Sequence, residues 1–354
     1  MPPVTKTPKK RIFLKILTVT LFVIIVVAIA FANKFYKKFH KTNLSLPTET
    51  VYLYIPTNST FVDVKTLLYE NNYVIDKKSF EWFSKKKNYV NKVKPGRYLL
   101  ESGMTNNQLI NKLRSGVQSP VKVVFNNIRT KEQFASRISN LLEFDSLSFI
   151  NLLNNTEYLK DNFKFTPDES LILFLPNTYE FYWNTSAKEF IERMQKEYKK
   201  FWNAERRKKA SDAGLQPFEI SILASIVQQE TNKVDEMSRI AGVYVNRLNS
   251  GIPLQADPTV KFALGDFFIK RILIRHTKII SPYNTYQIIG LPPGPICMPE
   301  PITIDKVLNY ENHNYYYFCA KDDFLGYHVF SKTHRQHLNN ANKYHRALNR
   351  LKIR

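Results

Sequence analysis

The sequence predicts an α+β protein that carries a single N-terminal transmembrane helix, and three features lead there. Ile16–Ala32 is an unbroken uncharged run of 17 residues in which Thr18 and Thr20 are the only polar members. Beyond it, short β-rich runs mix with helical periodicities but lack the regular alternation of a doubly wound sheet. At 354 residues, 44% hydrophobic and 23% charged, the chain is long and apolar enough to bury a sizeable core. Composition also excludes whole classes. Ten glycines rule out a collagen-like chain, and two cysteines, Cys297 and Cys319, are too few for a disulfide scaffold or a Cys-based zinc site. An oxidising compartment permits a Cys297–Cys319 bridge without requiring one. GxxxxGK[ST], GxGxxG and HExxH are all missing, so nucleotide and zinc-protease chemistry has no motif support.

Joined to Ile12–Leu14 across Lys15, the apolar run reaches 21 residues, close to the ~20 needed to cross the hydrocarbon core. A cleavable signal peptide is the rival, because Ala28-Ile-Ala30 and Ala30-Phe-Ala32 resemble small-x-small cleavage sites. The run exceeds the roughly 7–15 apolar residues of such signals, and Lys34, Lys37 and Lys38 follow at once, which favours an uncleaved anchor. Basic residues flank both ends, so the short tail sets the default orientation, with the N-terminus cytoplasmic. Residues 1–11 thus read as a cytoplasmic tail, 12–32 as the span and 33–47 as a polar stalk. Lys and Arg outnumber Asp and Glu by 52 to 30, a net charge of +22. A basic body suits nucleic acid, anionic lipid or an acidic polymer, and charge alone does not choose. A body outside the membrane excludes nucleic acid as the routine partner.

Residues 48–117 read as a small mixed α/β module. Val51–Ile55 is a strand, Thr60 opens an amphipathic helix, a second helix covers Lys78–Phe83, and Pro95-Gly96 turns into the strand Arg97–Leu100. A third helix carries Leu109, Ile110 and Leu113 and stops at Ser115-Gly116. A larger domain, residues 118–354, begins with a strand at Val121–Phe125. Helices follow at Lys131–Leu142 and Ala187–Trp202, with Leu171–Tyr179 between them as a strand running into a turn. Tyr179, Phe181, Tyr182 and Trp183 form an aromatic group that suits either a core or a stacking surface.

The most informative segment is Pro217–Thr231. Ile220, Leu223, Ile226 and Val227 make an apolar stripe at helical spacing, and continuing it lands on Glu230. Glutamate is costly to bury without a partner. Partial burial raises its pKa, which suits a general acid near neutral pH, whereas a helix-end Glu that fans into solvent is the structural alternative. A second helix follows with Met237, Ile240, Ala241, Tyr244 and Leu248 on one face, and it ends at Asn249-Ser250-Gly251. Asp257 is placed to cap a short helix whose first residue is Pro258. Five of the 18 prolines lie between 292 and 301, a stiff stretch that suggests a wall of fixed shape.

Val227-Gln-Gln-Glu-Thr231, Val245-Asn-Arg-Leu248, Leu254-Gln-Ala-Asp-Pro-Thr-Val260, Tyr283-Asn-Thr-Tyr286 and Gly290-Leu-Pro-Pro-Gly-Pro-Ile296 occur in that order. Together they resemble the endolytic murein transglycosylases (MltG, YceG-like), membrane-anchored cell-wall enzymes. Lys94–Tyr98 and Met104–Gly116 resemble that family's LysM-like module, and the resemblance makes residues 118–354 a YceG-like catalytic domain. Asn177 stands where the family pattern has Asp, Gln228 where a first Glu is common, and Gln336 where an acid is expected.

The resemblance implies non-hydrolytic cleavage of the MurNAc–GlcNAc bond within peptidoglycan strands, leaving 1,6-anhydroMurNAc ends and serving cell-wall assembly or strand termination. Glu230 is then the catalytic acid and base. Gln255, Asn284 and Tyr286 would hold sugar hydroxyls or the N-acetyl group, and Asn246 would orient the site. Asp257 is either a substrate contact or a helix cap. Neither metal nor cofactor is required. Partners on this reading are glycan strands and the inner membrane, with peptidoglycan synthases (penicillin-binding proteins) nearby and the body periplasmic. Two alternatives stay open: a hydrolytic glycosidase pairing Glu230 with Asp257, and a non-catalytic peptidoglycan-binding protein.

Overall fold

The computed structural model describes residues 9–269 and 271–350, and the fold is mixed α+β in two compact units. One unit holds the chain up to Pro120 together with Tyr182–Asn184; the other holds Val121–Phe181 and Thr185 onward.

The first unit opens with α1 (Lys9–His40). Its stretch Lys15–Asn33 is long and apolar enough to cross a membrane, and none of it is buried. The module follows as β1 (Thr50–Ile55), α2 (Phe61–Glu70), α3 (Lys77–Lys86), β2 (Gly96–Glu101) and α4 (Asn106–Ser115). Each boundary has a local cause. Thr60 with Asp63 and Thr105 with Gln108 form capping boxes that start α2 and α4. Gly116, in the left-handed region at φ 75, ends α4. β1 and β2 pair antiparallel, Thr50 opposite Glu101 and Ile55 opposite Gly96. Their inward residues Leu53, Ile55, Tyr98 and Leu100 close over Val64, Leu68, Phe80, Phe83 and Leu113.

The polar segment after the apolar stretch, expected as a stalk, is not a free linker. α1 runs on to His40, and Phe39 packs edge-on against Phe83 with centroids 4.7 Å apart. Leu44 is buried in the module core. Asn43, 5% exposed, is the reason. Its Nδ2 donates to Asp76 O at 3.0 Å and to Asn106 Oδ1 at 2.8 Å, and its Oδ1 accepts from the Asp76 N–H. Asn106 Nδ2 in turn donates to Ser79 Oγ. A buried polar network made of short-chain amides leaves no periodicity in the sequence, which is why the segment reads as linker.

The second unit pairs β3 (Val121–Phe125) antiparallel with β4 (Asn177–Phe181). Between them run α5 (Lys131–Ser139), α6 (Ser146–Asn154) and α7 (Thr156–Phe163). Leu171–Leu173 forms a 3₁₀ turn (Ser170–Leu173) rather than the expected strand, which starts only at Asn177. A short, continuously apolar run suits either conformation once it is buried on all sides. Phe134, Phe149, Phe174 and Phe190 make an aromatic core beneath the sheet. Tyr179 and Phe181 belong to that core, Tyr182 is exposed, and Trp183 stacks edge-on with Tyr54 in the first unit.

The rest of this unit is α8 (Ala187–Phe201), α9 (Ala204–Asp212), α10 (Pro217–Glu230), α11 (Met237–Asn249), α12 (Asp257–Leu264), α13 (Pro301–Leu308), the antiparallel hairpin β5 (Tyr317–Ala320) and β6 (His328–Ser331), and α14 (His334–Arg350). α10 is the central helix. Ile220 through Val227 are buried without interruption, so the one-sided stripe read from the sequence is in fact buried all round. α9, α11, α12 and α13 pack against it. Ser221 and Ser225 are tolerated there because their hydroxyls bond to Pro217 O and Ile222 O within the helix.

Asn43→Ala should lower the unfolding free energy by about 2 kcal/mol, since it strips a buried amide from three partners. Denaturant unfolding of the detergent-solubilised chain measures this, and an unchanged midpoint would show the 42–44 segment to be a loose linker after all.

Candidate active site

α10 delivers Glu230 at its last turn into a cleft of about 450 Å³. Five further stretches of the chain wall this cleft. α11 supplies Val243, Tyr244 and Arg247; the 254–257 segment supplies Leu254, Gln255 and Asp257. Tyr286 and the strand Tyr317–Ala320 form further sides, and His337, Ala341 and Tyr344 from α14 close the cleft.

Glu230 is partly buried, and loss of hydration pushes its carboxyl up to about 7. The Tyr244 hydroxyl opposes that by donating to Glu230 Oε1 at 2.5 Å, which favours the carboxylate. The neighbouring charge of Asp257 pushes upward and that of Lys261 downward. Tyr244 was read from the sequence only as part of an apolar helix face. The signal that it does more is its hydroxyl, since a buried tyrosine O–H requires a partner and the apolar face of α11 offers none.

Asp257 and Tyr286 are joined directly. Asp257 makes no helix-cap bond; its Oδ1 accepts from the Tyr286 hydroxyl at 2.7 Å. Desolvation by the cleft walls raises the Asp257 carboxyl above its ordinary value. Gln255 sits at φ 53, a left-handed conformation uncommon for a side chain of this size. Its Oε1 accepts from Arg247 Nη2 at 2.6 Å, which leaves the amide donors without a protein partner among the described residues. Arg247 is spent on the frame, with Nε and Nη1 on the carbonyls of Pro253 and Tyr316.

Asn284 and Asn246 stand outside the cleft lining. Asn284 is fully buried; its Nδ2 holds the carbonyls of Thr277 and Ile279, and its Oδ1 accepts from the Tyr286 N–H. It sets where Tyr286 lies and has no surface left for a sugar. Asn246 faces away from the cleft lining and donates to His313 O and Tyr315 O, tying α11 to the chain that enters β5. Gly242 permits that approach, because a Cβ there would sit 2.3 Å from Glu311 O. The Pro-Gly stretch 290–295 is also absent from the cleft wall; its place is taken by the hairpin and α14. Gly294 instead lets the stretch lie against Asp168, whose carbonyl a Cβ would approach to 2.2 Å.

Gln228, in the position where the related pattern has an acid, donates to Met298 O and accepts from the Glu300 N–H at 2.7 Å. A carboxylate could not make the first bond. Cys297 and Cys319 are both free thiols. β6 is fixed at its start by Glu236, 5% exposed, whose two oxygens accept from His328 N and meet His328 Nδ1 at 2.8 Å. The sequence offered no sign of this pair, which is 92 residues apart.

A Bacillus subtilis protein named endolytic murein transglycosylase is 29% identical over 314 residues, 83% of this chain and 85% of that protein. A Streptococcus pneumoniae protein of the same name is 25% identical over 299 residues, 75% of this chain. The chain spans about half, 53%, of that longer relative. The crystal structure of a yceG-like protein from Listeria monocytogenes superposes with a TM-score of 0.55 at 28% identity, covering 82% of this chain and 99% of that one. Residues 53–343 match the YceG-like family as a whole. Over most of its length, then, the chain belongs to the YceG-like family.

Proposed function

We propose that the protein is a membrane-anchored endolytic lytic transglycosylase that cleaves peptidoglycan within its glycan strands, with Glu230 as both acid and base. The observation that carries this reading is a carboxyl raised to about 7 and placed in a cleft with tyrosines on several sides. The relatives named endolytic murein transglycosylases support it independently.

Protonated Glu230 donates to the glycosidic oxygen as the C1–O bond of MurNAc breaks through an oxocarbenium-like state. The carboxylate left behind then takes the proton from the C6 hydroxyl of the same sugar. O6 bonds to C1, closes the 1,6-anhydro ring and restores the acid. Tyr244 stabilises the intermediate charge on Glu230 between the two steps, because its hydroxyl bond favours the ionised form. Tyr286, Asp257 and the free amide of Gln255 are the polar groups positioned to hold sugar hydroxyls. The apolar helix Lys15–Asn33 suits a single-pass anchor with a cytoplasmic N-terminus and the body outside the membrane. The small α/β module is a candidate LysM-like glycan holder on the strength of its β1–α2–α3–β2 order and the Lys94–Tyr98 motif.

A hydrolytic glycosidase is the second reading, favoured by one observation: Asp257 lines the same cleft and its charge is felt by Glu230. Mass analysis of fragments released from sacculi separates the two, anhydro ends meaning transglycosylation and reducing ends hydrolysis.

Glu230→Gln should cost roughly 10²–10⁴ or more in turnover on purified sacculi, the range for one general acid–base group; near-native turnover would remove Glu230 from the mechanism. The same variant should gain stability in a pH-dependent way. The wild-type carboxyl titrates near 7 when folded against about 4.5 when free, so wild-type stability falls between those values. The variant should therefore melt alongside the wild type at low pH and exceed it by ~1–3 kcal/mol above pH 7. In rate profiles, wild-type kcat/KM should drop as pH rises through about 7. Tyr244→Phe, which removes a donor to the carboxylate, should move that limb to higher pH. Asp257→Asn, which removes a neighbouring negative charge, should move it lower, and a limb that moves in neither would show that another group titrates there.

A further inference from the structure

Beside the cleft lies a second, smaller pocket of about 310 Å³ whose lining is mainly polar. Neighbouring residues of the same two helices serve both cavities: Glu230 and Asp257 line the cleft, Gln229 and Pro258 the pocket. Two cations, Arg129 and Lys261, look into it. The Arg129 guanidinium is fixed on two sides. It lies 4.7 Å from the centroid of the Phe267 ring, and Nη2 donates to Gln229 Oε1 at 3.0 Å. The remaining guanidinium donors have no protein partner among the described residues. Lys261 stands one helical turn beyond Asp257, and its ammonium likewise has no hydrogen bond among the described residues. Neither cation is in ion-pair contact with a described carboxylate.

A held, half-buried guanidinium with donors to spare, a second cation nearby and the amide of Asn127 make a receptor for an anion. The planar fork of arginine matches a carboxylate through two parallel bonds, while Lys261 contributes as a point charge. A strand seated with its scissile bond at Glu230 carries, on the MurNAc side, a lactyl ether extended by a peptide with free carboxylates. We propose that this pocket takes a carboxylate of that stem peptide, so that the enzyme selects peptide-bearing MurNAc at the cleavage point. The proposal rests on the transglycosylase reading and adds a specificity site to it.

The test uses the detergent-solubilised full chain on three kinds of uncrosslinked glycan strand. One bears stem peptides with free carboxylates, the second has those carboxylates amidated, and the third is stripped by an amidase and keeps only the lactyl carboxylate. Wild-type kcat/KM should be roughly tenfold higher on the first than on the other two, the scale of one charge-assisted contact. Arg129→Gln and Lys261→Gln should each bring those ratios towards one while the products keep anhydro ends. Lys261, whose ammonium makes no hydrogen bond among the described residues, serves as the variant that breaks no contact of the fold; thermal melting checks both. A wild-type ratio near one, or variants that retain the wild-type ratio, would overturn the pocket. Stripped strands cut as fast as the first kind would do the same by assigning the anion to the lactyl group. Anhydro ends missing from every strand type would sink the transglycosylase reading and the pocket with it, whereas ratios of one with anhydro ends present remove the pocket alone.

Discussion

The second unit is organised around the cost of placing one carboxyl group at the end of a helix buried on every side. Raising Glu230 from about 4.5 to about 7 corresponds to ~3 kcal/mol against its ionised form. That penalty persists only because α10 cannot shift. Eight consecutive buried residues, Ile220 to Val227, lock the helix among α9, α11, α12 and α13. Gln228 and Gln229 then tie its last turn to Met298, Glu300 and Arg129. A carboxyl on a looser element would rotate into water and regain its ordinary acidity.

The groups around Glu230 tune that state rather than abolish it. Tyr244 and Lys261 favour the charge, and burial with Asp257 opposes it, so the proton is held neither too tightly nor too loosely for both directions of transfer. Asp257 is in turn engaged by Tyr286, whose position depends on the buried Asn284. The remaining walls are built by close approach. Gly242 admits the chain leading into β5, Asn246 binds its carbonyls, and the Glu236–His328 pair anchors β6 on the other side. Residues such as Asn284 and Asn246 thus bear on the site through the placement of others.

Charge adds a directional element. A chain with a net +22 attracts anionic polymers over a range of about a Debye length, which concentrates an acidic glycan near the body without selecting any part of it. Selection needs donors at short range, and the pocket proposed beside the cleft brings the held guanidinium of Arg129 together with the charge of Lys261. Long-range attraction and local discrimination are separate properties of the same basic composition.

Much of this was legible in the chain. The apolar run marks, by length and composition, a helix long and apolar enough to cross a membrane. Capping boxes at Thr60 and Thr105 and the glycine stop at Gly116 mark their elements within a residue or two, because those interactions are local. The helical phase that put Glu230 among aliphatic residues also follows from local geometry. What stayed hidden depends on contacts between distant residues. Asn43 docks by bonds to residues 33 and 63 positions away, Tyr244 meets Glu230 across two helices, and the cleft is walled by a C-terminal hairpin and helix where the Pro-Gly stretch was expected. By itself, then, the sequence determined the long apolar helix, the α+β class and the acidic side chain at the end of α10. Only the tertiary structure decided which polar side chains face the cleft and which brace it, because Asn, Gln, Tyr and Asp look alike in a sequence until packing chooses their partners.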